Sequence, residues 1–278
     1  MRRLLVIFWI LGILSSCEDV IDVDLPDDDE LVVIEGWVTN QLQIQTVKIS
    51  RTQNFNEQGD EIVIENAEVT VFAGNNPIPY HFSATSNSYE SDSAYRGVSN
   101  GTLYGLRIVI AGDTLGSTFE LMPEAVEIQS ITFDFFERQS EENPNIIEQI
   151  YFPSAFSQDP SGPNFYRYVL SRNGQTFSDP NDIELLDDSA IDGNFFFNEF
   201  RTFNYDIGDT ATIELRNLNQ PAFDFLNLLK SQTTSLGTSA GTSPASINGN
   251  LENQTNPEIV VLGYFGCYAS SSMSMVLN

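Results

Sequence analysis

An all-β fold is predicted for this 278-residue chain by three features of its sequence. Short runs that alternate apolar and polar residues recur along almost its whole length. Polar turn chemistry separates these runs, and one segment alone carries apolar residues at helical spacing. Together they predict two β-sandwich-like domains, the second with one amphipathic helix. Apolar content of 41%, with 20 Phe and 10 Tyr, is enough to pack such cores.

The first domain is expected over residues 31–121. Leu31–Val38 opens it as a strand broken by Thr39-Asn40, and Thr46–Arg51 alternates with period two. Asn66–Phe72 does the same and ends in the turn signal Gly74-Asn75-Asn76-Pro77. Tyr89–Ser91 and Tyr104–Ile110 follow, and Ala111-Gly112-Asp113-Thr114 is hairpin chemistry leading to Leu115–Phe119. Met122-Pro123-Glu124 reads as a boundary, so the second domain spans 122–278. Its strands are expected at Ile128–Phe136, Gln149–Ala155, Phe165–Asn173, Asn194–Phe200 and Thr210–Leu218. In Gln220–Gln232 the apolar residues 222, 225, 226 and 229 follow helical spacing. Pro221 suits the first turn and Lys230 the last, which predicts a helix near 221–232 that covers one end or face of the second sheet. Residues 231–257 are rich in Ser, Thr, Gly, Asn and Pro and read as a long loop before a last strand around Val260–Tyr268.

The N-terminus has a separate logic. Arg2 and Arg3 precede the apolar run Leu4–Leu14, which is shorter than the roughly 20 residues of a membrane-spanning helix. Leu14-Ser15-Ser16-Cys17 follows. Residues 1–16 resemble a bacterial lipoprotein signal peptide with its lipobox, which implies acylation (palmitate) at Cys17; an ordinary secretory signal is the alternative. Glu18, Asp19, Asp22, Asp24, Asp27, Asp28, Asp29 and Glu30 make residues 17–30 an acidic tether. Like charges keep such a segment extended. Glu18 and Asp19 also resemble the surface-export signal of Bacteroidota lipoproteins, which implies an outer-membrane protein, lipid-anchored and facing the cell exterior.

Charge excludes several function classes. The chain has 12 basic and 39 acidic residues, a net charge of −27. No basic footprint exists to replace the counterions of a nucleic acid. Anionic headgroups repel the body too, so the membrane must be held through the N-terminal lipid, at about 0.8 kcal/mol per buried methylene. With Cys17 acylated, Cys267 is alone; it sits in an apolar run and reads as a small core residue.

No residue is assigned a catalytic role, and no cofactor or metal is implied. Gly237-Thr238-Ser239-Ala240-Gly241 matches G-x-S-x-G, but it lies in a Ser/Thr-rich loop after a helix, and the one histidine, His81, lies upstream. One His and one spare Cys cannot build an ordinary zinc site. Asp179, Asp182, Glu184, Asp187, Asp188 and Asp192, before Gly193, could supply oxygen ligands to Ca²⁺. Their order matches no known loop, which favours a solvated acidic stretch. Asp92-Ser93-Ala94, Asp113-Thr114-Leu115, Asp188-Ser189-Ala190 and Asp209-Thr210-Ala211 resemble the O-glycosylation sequon of Bacteroidota. They make Ser93, Thr114, Ser189 and Thr210 candidate sites, although Gly-Asp-Thr is also plain turn chemistry. Phe133, Phe135 and Phe136, and Phe195, Phe196 and Phe197, put rings on both faces of their strands. One face should enter a core; the other is covered by the helix, a partner or a ligand.

Ile21–Pro26, Leu31–Asn40, Val47–Thr52, Pro244–Asn250 and Leu262–Gly266 together resemble a Bacteroidota outer-membrane lipoprotein family catalogued as a domain of unknown function (number four-two-four-nine). Residues 66–119 are similar to a transthyretin-like, carboxypeptidase-regulatory or Ig-like sandwich. The resemblance implies a neighbourhood: such proteins are typically encoded beside TonB-dependent receptors, and the family brings no catalytic residues. The expected function is therefore a non-enzymatic binding or accessory subunit of a TonB-dependent outer-membrane barrel in nutrient uptake. The alternatives are a structural subunit of another surface assembly or adhesion complex, and a carboxylate-dependent surface hydrolase.

Overall fold

The computed structural model describes residues 30–53, 61–140, 143, 145–235, 247 and 249–278. Eighteen strands and one long helix lie among them. The first part of the chain forms β1 (Val32–Thr39), β2 (Thr46–Arg51), β3 (Ile62–Val63), β4 (Glu68–Ala73), β5 (Asn76–Ser83), β6 (Ser88–Ser91), β7 (Leu103–Ile110), β8 (Asp113–Ser117) and β9 (Glu120–Leu121). The second part forms β10 (Ile128–Gln139), β11 (Ile147–Gln158), β12 (Phe165–Arg172), β13 (Gln175–Thr176), β14 (Glu184–Asp187), β15 (Phe195–Glu199) and β16 (Thr210–Leu218). Helix α1 (Gln220–Ser235), β17 (Leu251–Asn253) and β18 (Val261–Val276) complete the chain.

The protein is thus all-β and sandwich-like. One large sheet runs β13-β12-β16-β18-β1-β2-β6-β5-β4-β7-β8-β17, with β14, β3 and β9 attached at β12, β2 and β7. A second sheet has the order β10-β11-β15. Alternation built these strands: in β16 every second residue, Ala211, Ile213 and Leu215, is fully buried. The helix matches its predicted face, with Ala222 and Leu226 buried and Phe225 and Leu229 half-buried. It begins at Asn219, whose Oδ1 accepts the Ala222 N–H at 3.0 Å as an N-cap.

Strand β18 organises the whole. Its first half, Val261–Tyr268, pairs in parallel with β1, and its second half, Tyr268–Val276, pairs antiparallel with β16. Two hydrophobic cores result. One gathers Ile34, Val47, Ile49, Val71 and Leu106 with Phe265 and Cys267; the other gathers Tyr166, Leu170, Phe200, Ile213 and Leu215. Residues 251–253 and 261–269, from the C-terminal end of the sequence, therefore belong with the first core, where β17 pairs with β8. The Ser-rich tail Ala269–Ser274, which has no strand-like hydrophobic pattern, is a strand because β16 supplies its hydrogen-bonding partner.

Close backbone approach makes the β1–β18 seam possible. Gly263 adopts φ +96°, and a Cβ there would stand 2.0 Å from the Ile34 carbonyl oxygen, a backbone atom that cannot give way. Gly101 also has positive φ (+87°) but open space around it. G263A is expected to destabilise the protein by about 3 kcal/mol or more, lowering the melting temperature by roughly 6–12 °C. G101A should cost only its backbone strain, about 1 kcal/mol. Thermal melts of the two variants side by side would check this; equal effects would contradict the seam argument.

Candidate functional site: a helix-walled aromatic groove

The face of β2–β1–β18 turned away from the first core is neither bare nor fully covered. Helix α1 packs over one end of it, and Leu218, Ala222, Leu226, Tyr264 and Tyr268 form a third small core beneath. Between helix and sheet lies a groove of about 730 Å³, a size within the usual range for small-molecule sites. Period-two alternation aims its lining: Val33, Glu35 and Trp37 from β1, Thr46 and Lys48 from β2, and Leu262, Tyr264 and Tyr268 from β18. Arg167 of β12, in the same sheet, also lines the groove, and Phe225, Leu226, Leu229 and Gln232 of α1 form the helix wall.

Three rings form a stack along this wall. Tyr264 lies between Trp37, at 5.5 Å between centroids, and Phe225, at 4.8 Å, with planes within 28° of parallel. Tyr268 tilts against Trp37 at 6.0 Å. Gly266 makes room for the stack, since a Cβ there would come within 2.8 Å of both the Trp37 and Tyr264 rings.

The stack is fixed from below by a buried carboxylate. Glu120 is 5% exposed. One of its oxygens accepts the Asn219 amide at 2.6 Å, and the other accepts the Asn250 amide at 2.9 Å and the Tyr264 hydroxyl. Asn250 also brackets the Phe265 backbone, donating to its C=O at 2.7 Å and accepting from its N–H at 3.0 Å. One carboxylate thereby ties the helix N-cap, the segment before β17 and the central ring of the stack. Burial raises its pKa against the lowering effect of these donors.

Two arginines stand at the groove's edge, directly opposite each other across β12 and β16. Arg216 is satisfied: Glu214 accepts from its Nε at 3.0 Å and Nη2 at 2.7 Å, and the guanidinium lies 4.6 Å from the Tyr268 ring centre. Among the described residues Arg167 has no hydrogen-bonded carboxylate, and its buried Nε makes no hydrogen bond; Glu214 acts on it only through space. Burial, then the charge of Arg216, lowers its pKa to about 10, which leaves it a cation at neutral pH.

The residues singled out in the sequence are placed elsewhere. Cys17, Glu18 and Asp19 lie outside the described residues, as does Gly237–Gly241. Cys267 is a fully buried free thiol whose pKa burial pushes up. His81 is exposed on β5, 3.2 Å from Asp92. The six-residue acidic stretch does not converge as one set. Asp179 and Asp182 cap a 3-10 turn and Glu184 and Asp187 lie on β14; only Asp188 and Asp192 come together, with Asp159. Those three carboxylates are held by local donors: Tyr166 and the Gly193 N–H for Asp159, the Asn164 N–H for Asp188, and the Gly162 N–H for Asp192.

Of the sequon-like residues, Ser93 and Ser189 are exposed, and Thr114 and Thr210 are half-buried on β8 and β16. Their preceding aspartates fasten turns. Asp113 accepts from Asn253 at 3.1 Å, and Asp209 from the Asp206 N–H at 2.8 Å and the Asn173 amide at 2.6 Å. Phe133 and Phe196 pack into the second core, whereas Phe135, Phe195 and Phe197 are 50–56% exposed. Phe156 stacks between Phe195 (6.0 Å) and Phe197 (5.4 Å) on the outer face of the small sheet. Phe136 lies against Phe152 at 6.1 Å.

Arg167 and Glu120 were not singled out by the sequence reading. Their one signal is a charge inside an apolar strand pattern: Phe165-Tyr166-Arg167-Tyr168 and Phe119-Glu120-Leu121.

The architecture is that of an all-β protein with a helix-walled, aromatic-lined groove. The chain belongs to the family described as a domain of unknown function, DUF4249, whose model matches residues 18–274. A comparison with curated proteins returned no match.

Glu120 gives this site a pH signature. A carboxyl whose folded pKa is raised contributes stability that is complete below its unfolded pKa and lost as pH rises through the folded pKa. From pH 7 to 5 the wild type should gain stability relative to E120Q, which has no charge there to titrate. E120A leaves the Tyr264 hydroxyl and two amides without their acceptor and should cost about 3 kcal/mol. Denaturant unfolding at several pH values measures both effects; parallel pH profiles for wild type and E120Q would contradict the assignment.

Proposed function

We propose that this protein is a surface-exposed outer-membrane lipoprotein that serves as the ligand-binding accessory subunit of a TonB-dependent nutrient-uptake receptor. The observation that carries the binding role is the groove: concave, aromatic and backed by a fixed polar knot, as small-molecule sites are. The compartment rests on the leader, Cys17 and the acidic residues that follow it. Among the described residues no helix is long and apolar enough to cross a membrane. In this reading the lipid on Cys17 holds the body beside the receptor barrel, and the acidic tether keeps it off the anionic surface.

A structural subunit of a surface assembly is the second reading, favoured by the exposed Phe195–Phe156–Phe197 patch.

Affinity capture of the tagged chain from detergent-solubilised outer membranes tests the first reading. Recovery of a β-barrel receptor in comparable amount is expected, and its repeated absence would sink the transporter assignment. C17A should remove the lipid mass from the intact chain, read by mass spectrometry because the variant can retain its apolar leader. Lipid mass persisting in C17A would refute lipid anchoring at Cys17.

A further inference from the structure

We propose that the helix-walled groove binds a small ring-bearing organic anion, with its carboxylate or phosphate group at the Arg167 guanidinium and its ring against the Trp37 end of the aromatic stack. This names the ligand class for the binding role above and rests on that role, but not on the identity of any receptor.

The argument begins with an imbalance. The chain carries 39 acidic side chains against 12 basic ones, so a cation in it has carboxylates in excess from which to draw a partner. Arg216 has taken one, Glu214. Arg167, directly across from it, has none: among the described residues no carboxylate oxygen lies within 4 Å of its nitrogens, and its buried Nε is without a hydrogen bond. Like charges opposed across two strands are unfavourable, and a desolvated cation with no counter-ion more so. Neighbouring acids relieve it only in part: Glu214 acts on it through space, but its carboxylate is bonded to Arg216. Asp179 and Asp182 share a smaller hollow of about 250 Å³ with Arg167, but the Asp182 carboxylate is held by the Asp179 N–H at 2.8 Å. Glu35 lines the same groove from β1, across from Lys48 in register; the Lys48 ammonium is bonded to Glu61 at 2.5 Å, and Glu35 makes no ion pair with Arg167. Residues 236–246, which continue the chain from the groove's helix wall, contain no acidic side chain.

Arg167 thus lines the groove with a guanidinium that has no ion-pair partner among the described residues, and a guanidinium pairs bidentately with a carboxylate or a phosphate. The Trp37–Tyr264–Phe225 stack supplies the complement for a ring. The volume of about 730 Å³ suits a ligand of one to a few rings.

The chain carries its own reporter. Its two tryptophans are Trp9, in the apolar leader, and Trp37, in the groove. W9F makes Trp37 the only indole whether or not the leader is removed. In this protein, indole emission is titrated with galacturonate oligomers, N-acetylneuraminic acid and glucose 6-phosphate. Neutral galactose oligomers and inorganic phosphate serve as matched controls. Saturable change with at least one ring-bearing acid, at least tenfold tighter than its neutral counterpart, is expected. R167M should abolish that preference at least tenfold while melting at or above the wild-type temperature, because it removes an unpaired charge. R167K should retain part of the preference. Equal affinity for acid and neutral sugar, an unaltered preference in R167M, or no response to any ring-bearing acid up to millimolar concentration would each overturn the proposal. If R167M fails to fold, the R167K titration decides: undiminished affinity would show that the fork is not used. Purified protein suffices, so a failure here leaves the receptor capture result standing, and the reverse holds too.

Discussion

The parallel pairing of β1 with the first half of β18 is the constraint on which the rest of the structure depends. It joins residues near the two ends of the described chain, Val32 with Val261 through Thr39 with Tyr268. On one face it completes the first hydrophobic core with Phe265 and Cys267; on the other it sets Trp37 beside Tyr264. Small residues at the seam permit this. Gly36 would clash through a Cβ with the Phe265 ring at 2.9 Å, and Gly263 and Gly266 admit a carbonyl and two aromatic rings. A pairing of such long sequence separation closes a large loop, an entropic cost that the local hairpins do not bear. The groove exists only where β18 lies between β1 and β16.

Glu120 then converts a sheet face into a site. A buried carboxylate is costly alone, but three donors from three separate segments meet here. Each donor positions something the groove needs: Asn219 the start of α1, Asn250 the backbone of Phe265, Tyr264 the middle of the ring stack. Apolar packing in the third core holds the helix to the sheet, and this network fixes its register.

Local patterning made most of the fold legible in the sequence. The period-two strands at 46–51 and 210–218 match their predicted bounds, and the helix surrounds its predicted span. Asn76–Ser83 escaped notice as a strand because Pro77 and Pro79 argue against one; the structure accommodates both within β5 beside β4. The groove was not legible, because its walls come from β1, β2, β12, α1 and β18, and nothing in a local pattern says that these meet. Its residues were nevertheless in view. Gly36-Trp37 and Leu262–Gly266, the stretches that carry the family resemblance, are the seam and the ring stack. The close approaches at Gly36, Gly263 and Gly266 give these stretches a steric role that a local pattern does not show.

A strongly acidic protein with an unpaired arginine in its groove also has a particular electrostatic profile. At long range the net charge of −27 repels an anion, but in physiological salt that repulsion is screened beyond about 8 Å. Inside the groove, burial raises the worth of each contact and screening reaches it less. Approach and capture are then governed by different charges: the surface slows every anion alike, and Arg167 rewards only one whose oxygen pair fits the fork while its ring finds the aromatic wall. Selectivity in such a site resides in dissociation rather than association, since the attractive charge acts only at contact. A neutral ring could enter the same groove and stack, yet it would leave the guanidinium as desolvated as before. In the proposed site Arg167 is therefore the element that discriminates among ligands, and the aromatic stack the element that holds them.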